Sequence, residues 1–168
     1  MSVVAAKVYD NQITIAADSI LIKGEKKRNT NFSKLFEYNG MIIGGTGSAE
    51  ELSLMRHYMQ AHKPASATEK DVLDFIIEFA RWKNEMNLEM EIENEYLLAY
   101  EGHLFEIEAL FVHEVFDFVA IGAGEDFATA ALYLKHTPKE AVKVACDLSC
   151  FVCEPITECI MRKERKGD

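Results

Sequence analysis

SVVAAKVYDNQITIAADS, residues 2–19, decides the fold. Two runs of apolar and β-branched residues, 3–9 and 12–18, flank Asp10-Asn11, a pair suited to a two-residue hairpin turn. A turn centred on 10 and 11 pairs residues whose numbers sum to 21, so Asp18 falls opposite Val3 and Ser19 opposite Ser2. Strict alternation points Asp18 to the other face from Ser2, so the register predicts a bulge or a modified turn if the two groups are to meet.

The same grammar recurs downstream. Residues 32–51, FSKLFEYNGMIIGGTGSAEE, hold a second hairpin with strands 34–38 and 41–45 around Asn39-Gly40. YLLAYEGHLFEIE (96–108) reads as a third around Gly102, and FVAIGAG (118–124) as a strand ending in a glycine turn. ITECIMRKE (156–164) reads as a last strand, and LIKGEKKRNTNF (21–32) as a loop or ragged ribbon.

Helices fill the intervals. Ser48 caps AEELSLMRHYMQAH (49–62), whose stripe of Leu52, Met55, Tyr58 and Met59 reads as core. Leu52, Met55 and Met59 also form the face that a neighbouring subunit could cover. Thr68 to Asp71 resembles a capping box with Asp in the Glu place, ahead of Val72, Phe75, Ile76 and Phe79 at helical spacing. EDFATAALYLK (125–135) is helical, and Thr137-Pro138 starts the final helix through KEAVKVACDLSCFV (139–152). NLEMEIENE (87–95) reads as an acidic, solvated connector. Strands, two helices, strands, two helices and a strand predict an α+β, four-layer αββα sandwich: two stacked, mainly antiparallel sheets between helix pairs. No linker interrupts 1–168, which reads as a single domain.

Composition limits the function. The chain has 168 residues and a net charge of -10, which argues against nucleic acid or an anionic membrane as partner. No apolar run reaches the roughly 18 residues of a membrane span, and no signal segment precedes the fold, so a cytoplasmic location is expected. Cys146, Cys150 and Cys153 fall at i, i+4, i+7, one face of a helix, and with Cys159 read as buried thiols, with zinc or redox chemistry as the alternative. His57, His62, His103, His113 and His136 lack metal-ligand spacing and read as surface or edge residues. Neither a metal nor a cofactor is expected.

The most specific pattern is a joint spacing. A small hydroxyl residue, Ser2, is followed sixteen positions later by Asp18, and sixteen beyond that by Lys34. On these residues, and on the stretches 2–19, 32–51, 118–124 and ACDLSC (145–150), the chain resembles the N-terminal nucleophile hydrolases of the proteasome β-subunit and HslV type. The resemblance implies a peptidase. Ser2, freed of Met1 as its small side chain ordinarily permits, is the nucleophile, and its own α-amine is the base. An α-amine has a pKa of about 7.7–8.0, so a neutral fraction is present at neutral pH. Lys34 lowers the amine pKa, Asp18 holds Lys34, and Gly47 supplies the oxyanion N–H. Asp147 supports the nucleophile's surroundings, and Leu21, Phe32, Phe36 and Gly45 border an apolar substrate pocket. The resemblance also implies a polypeptide substrate, a homo-oligomeric ring and an ATP-dependent unfoldase as partner.

Three departures from the family pattern stand out. Serine replaces the usual threonine, Ala123 replaces the serine of the glycine turn, and Cys150 stands at a small-residue position where some relatives bind a cation. A plain Asp18–Lys34 ion pair between two hairpins, a non-catalytic subunit that keeps Met1, and an amidase for a small substrate are the competing readings.

Overall fold

The computed structural model describes residues 1–23, 26–28, 32–86 and 88–163. The first hairpin pairs β1 (Val4–Val8) with β2 (Gln12–Ala17), from Val4 opposite Ala17 to Val8 opposite Ile13, in the register summing to 21. A three-residue ribbon follows, β3 (Leu21–Lys23) with β4 (Lys26–Arg28). Next comes the hairpin of β5 (Leu35–Tyr38) and β6 (Met41–Thr46). At its turn Asn39 and Gly40 take φ of 52° and 74°, the left-handed pair that a tight hairpin needs.

Helices α1 (Ala49–Tyr58) and α2 (Glu69–Glu85) lead to β7 (Glu95–Tyr100) and β8 (His103–Glu108), joined through Glu101-Gly102. Then come β9 (Phe111–Val115), β10 (Phe118–Ile121), α3 (Glu125–Tyr133), α4 (Pro138–Leu148) and β11 (Thr157–Arg162). One antiparallel sheet has the order β10-β1-β2-β11, the other β5-β6-β7-β8-β9.

Three apolar layers make four structural ones. In β6, Met41 and Ile43 face α1 and α2, while Ile42 turns to the opposite sheet. In β1, Val4 and Ala6 join that inner core, while Ala5, and Val3 just before the strand, pack under α3 and α4. Period-two alternation therefore buries both faces of the central strands β2, β6 and β7 and of the first half of β1, which explains near-continuous apolar runs in strands that are antiparallel. The αββα sandwich expected from the element order is the fold.

Several expectations are corrected. β9 adds an edge strand that the sequence reading lacked. The cysteines do not share a helical face: α4 ends at Leu148, because Ser149 turns to extended backbone (φ -103°, ψ 132°). Cys150 is exposed beyond the helix, and Cys146, Cys153 and Cys159 are half-buried, the last on β11. Leu52, Met55 and Met59 are 0–2% exposed inside the α1–α2 core, so no neighbour can cover them. Thr68 caps the Asp71 N–H, but Asp71 bonds the Ser66 hydroxyl instead of completing the box. The connector before β7 is not merely solvated: Ile92 and Asn94 are buried. Among the described residues no helix is long and apolar enough to cross a membrane.

Candidate active site

The site lies where four strand ends meet: the start of β1, the end of β2, the start of β5 and the end of β6. No bulge brings Asp18 to the first strand, since the β1–β2 register is regular to its last pair. Instead Asp18 is the first residue past β2, and its side chain folds back. Its N–H bonds the Val3 carbonyl at 3.2 Å, and its Oδ1 accepts the Val3 N–H at 2.8 Å. Oδ2 accepts the Ile20 N–H at 3.1 Å, an Asx turn that fixes the carboxylate's orientation.

Lys34 enters from the other sheet. Its Nζ donates to Asp18 Oδ1 at 2.8 Å, and both side chains are almost wholly buried, at 3% and 0% exposure. Its backbone is tied down as well, for the Lys34 carbonyl accepts the Gly45 N–H at 3.1 Å. Burial pulls the Lys34 ammonium below its ordinary 10.5, and the charge and hydrogen bond of Asp18 only partly offset this. Cys146, on α4, lies in the same field. Burial first, then Asp18, pushes its thiol up to about 12, so it stays a neutral wall behind the pair.

Ser2 is buried at 3%, although Met1 before it is 50% exposed. The glycine turn after β10 holds it: the Gly124 N–H bonds the Ser2 carbonyl at 3.2 Å. A Cβ on Gly122, which has φ 91°, would stand 2.6 Å from that carbonyl and 2.7 Å from Thr46 Cγ2. Only glycine lets the turn, Ser2 and the end of β6 close together. With Met1 attached, the Ser2 hydroxyl donates to the Met1 carbonyl at 2.6 Å.

Gly47 follows Thr46 directly, exposed, with φ 116°, where β6 gives way to the Ser48 cap of α1. The structure thus brings Ser2, Asp18, Lys34 and the Gly47 turn to one end of the sandwich. Asp147 is not drawn in: it is exposed on α4 and pairs with Lys143 one turn back. Of the pocket candidates, Leu21 is half-buried at the start of β3. Phe32 packs partly buried on the α1–α2 core, and Phe36 lies within it under the Arg56 guanidinium. Gly45 is buried where a Cβ would strike Leu52 and Tyr96.

A second polar cluster was missed by the sequence reading. Glu51 and Lys83, 4% and 5% exposed, pair at 2.7 Å behind the Gly47 turn. The available signal was a charge on an apolar stripe. Glu51 shares the α1 face of Met55 and Tyr58, and Lys83 the α2 face of Ile76 and Phe79.

Solved structures share this architecture. Thiobacillus denitrificans BPH, a bacterial proteasome homologue solved with and without epoxomicin, superposes with a TM-score of 0.87 at 20% identity. In the epoxomicin complex the match covers 97% of this chain and 100% of that one. Eukaryotic HslV from Trypanosoma brucei gives 0.72 at 18% identity, over 95% and 99%. No protein-family model and no curated protein sequence matches the chain. At these identities the likeness establishes the fold alone: the chain has the four-layer αββα sandwich of those proteasome-homologue and HslV structures.

Proposed function

We propose that the protein hydrolyses peptide bonds with Ser2 as nucleophile once Met1 is removed. The observation that carries this reading is the buried Asp18–Lys34 pair, whose carboxylate also grips the Val3 N–H, one peptide link from Ser2. While Met1 is attached the Ser2 nitrogen is an amide and cannot accept a proton. Its removal frees an amine in the same residue as the hydroxyl. That amine takes the hydroxyl proton, directly or through water, as Oγ attacks the substrate carbonyl carbon. The cation at Lys34 disfavours protonation of the amine and favours negative charge developing on Oγ. The Gly47 N–H receives the carbonyl oxygen as it becomes an oxyanion, at a helix start that favours negative charge. The proton then passes to the leaving amine, and water releases the acyl group from Ser2.

Lys34 carries an electrostatic role here, and Asp18 holds it in place. No step is assigned to Asp147, which is engaged by Lys143. Of the pocket candidates, the half-buried Leu21 and Phe32 border an apolar pocket for the residue before the cut, while Phe36 and Gly45 lie in the core beneath. The substrate class is unfolded polypeptide, admitted to a homo-oligomeric ring by an ATP-driven unfoldase in the cytoplasm, as the likeness to HslV suggests.

A non-catalytic subunit of the same shape is the second reading. It is favoured by Ala123 in the glycine turn and by Asp147 turned away, since neither then serves proton transfer. Intact mass and peptide turnover separate the two. The peptidase reading expects loss of the Met1 mass, hydrolysis of fluorogenic peptides, one covalent epoxomicin adduct at Ser2, and no turnover in Ser2→Ala. Retained Met1 with no adduct establishes the non-catalytic subunit instead. Turnover confined to small amides points to an amidase.

A further inference from the structure

Asn94 lies at the end of the connector, just before β7, and is 1% exposed. Its carboxamide grips the backbone of Ser48 with both ends. Oδ1 accepts the Ser48 N–H at 2.6 Å, and Nδ2 donates to the Ser48 carbonyl at 2.9 Å. The same Oδ1 would stand 2.3 Å from a Cβ on Gly47. The carboxamide therefore fills the space beside Gly47 and fixes the peptide that follows it.

Behind Asn94 stands the second buried pair. The Asn94 N–H donates to Glu51 Oε1 at 3.1 Å, which also accepts the Tyr96 hydroxyl at 2.9 Å. Oε2 accepts the Glu93 N–H at 3.1 Å and Lys83 Nζ at 2.7 Å, while Lys83 also reaches the Glu91 carbonyl at 2.6 Å. Burial and the Glu51 carboxylate push the Tyr96 phenol well above its ordinary range, so it remains a donor. Each of these groups has a stated partner, and buried networks satisfied in this way are rigid.

We propose that Asn94 is a positioning residue for catalysis: backed by the Glu51–Lys83 pair, its carboxamide holds the Gly47 turn so that the Gly47 N–H faces the oxyanion. This rests on the Ser2 peptidase reading. A preorganised donor acts on the transition state more than on bound substrate, so its loss lowers kcat rather than raising KM.

Asn94→Ala tests this, with Leu104→Ala as a destabilised control in the inner core, beside the Glu101-Gly102 turn at the other end of the sandwich. For Asn94→Ala, kcat on a fluorogenic peptide falls about 100- to 1000-fold with KM changed less than about threefold, the size expected for one oxyanion donor. Affinity for a peptide aldehyde, which forms a tetrahedral adduct on Oγ, falls by the same factor as kcat/KM. Leu104→Ala loses melting temperature but keeps its kcat. Should the alanine variant fail to fold, Asn94→Asp, which retains the acceptor for the Ser48 N–H and loses the donor to the Ser48 carbonyl, lowers kcat at nearly unchanged KM in a folded protein.

Undiminished kcat in a folded Asn94 variant overturns the proposal, as does a defect confined to KM or an equal kcat loss in Leu104→Ala. Periodate, which cleaves a residue bearing adjacent free amine and hydroxyl, distinguishes failure of the parent reading. A wild type that periodate oxidises at Ser2 but that turns over no peptide and binds no aldehyde sinks the peptidase mechanism, and this role with it.

Discussion

The molecule buries two lysine–carboxylate pairs, and they are built differently. At Glu51–Lys83 the lysine donates to both the carboxylate and the Glu91 carbonyl, and the carboxylate gathers two backbone N–H groups and a phenol. At Asp18–Lys34, among the described residues, the carboxylate gathers two backbone N–H groups and no further side chain, the ammonium has one acceptor, and burial weakens its hold on its proton. The first arrangement spends its polar groups on closing a loop. The second leaves a desolvated cation that, among the described residues, donates to Asp18 alone. Burial alone therefore does not mark a functional ion pair; the sparser partnering of Lys34 is what sets Asp18–Lys34 apart.

The largest effect expected from breaking this contrast is structural. Glu51→Ala leaves Lys83 buried without its counter-charge and strips three further donors of their acceptor. A loss of about 3–5 kcal/mol in denaturant unfolding is expected. A loss under 1 kcal/mol would erase the distinction between the pairs.

Lys34→Met should behave in the opposite way. Two backbone N–H groups still hold Asp18, so the melting temperature changes less than in Glu51→Ala, while kcat falls about 100-fold or more. Deep unfolding with unaltered kcat in the surviving folded fraction would make Asp18–Lys34 a plain structural tie.

The replacement Glu51→Gln with Lys83→Met sharpens the comparison further. Removing both charges together costs less than the sum of the single changes, a coupling of about 0.5–3 kcal/mol measured by a double-mutant cycle. Strict additivity would show that the two groups do not act as a pair.

The smallest effect is in pH dependence. The folded-state pKa of Lys34 lies below its unfolded value of 10.5, so between the two the unfolded chain holds a proton that the folded chain has released. The contribution of this group to stability therefore rises with pH across that alkaline window and levels off above 10.5. Lys34→Met should lack the increment when unfolding free energies are compared across that range. An identical pH profile in both proteins would contradict it.

The first pair was legible in sequence and the second was not, for a physical reason. Hairpin registers follow from local turns, so Asp10-Asn11 and Asn39-Gly40 carry Asp18 and Lys34 to the same end of the sandwich as Ser2. What local chemistry could not show was how Asp18 reaches the backbone next to Ser2; its carboxylate folds back onto the Val3 N–H in an Asx turn past the strand, without the bulge that alternation demanded. Asn94 and Glu51 are 43 residues apart and meet only when the connector closes over α1, so no local pattern announces them. β9 was hidden because Phe111 is exposed, His113 and Glu114 interrupt the apolar pattern, and only Val115 is buried. The cysteine reading failed because helical periodicity was extended past Ser149, where the backbone leaves the helix.

The abrupt step from exposed Met1 to buried Ser2 bears on how this protein should be handled in the laboratory. Whatever precedes Ser2 projects outward, clear of the hairpin that anchors it. An affinity tag on that end would yield a well-folded preparation whose α-nitrogen is locked in an amide. On the mechanism proposed above, it would fold normally and show no turnover. A tag carried beyond β11, or one cut away to leave Ser2 first, keeps the question open to experiment.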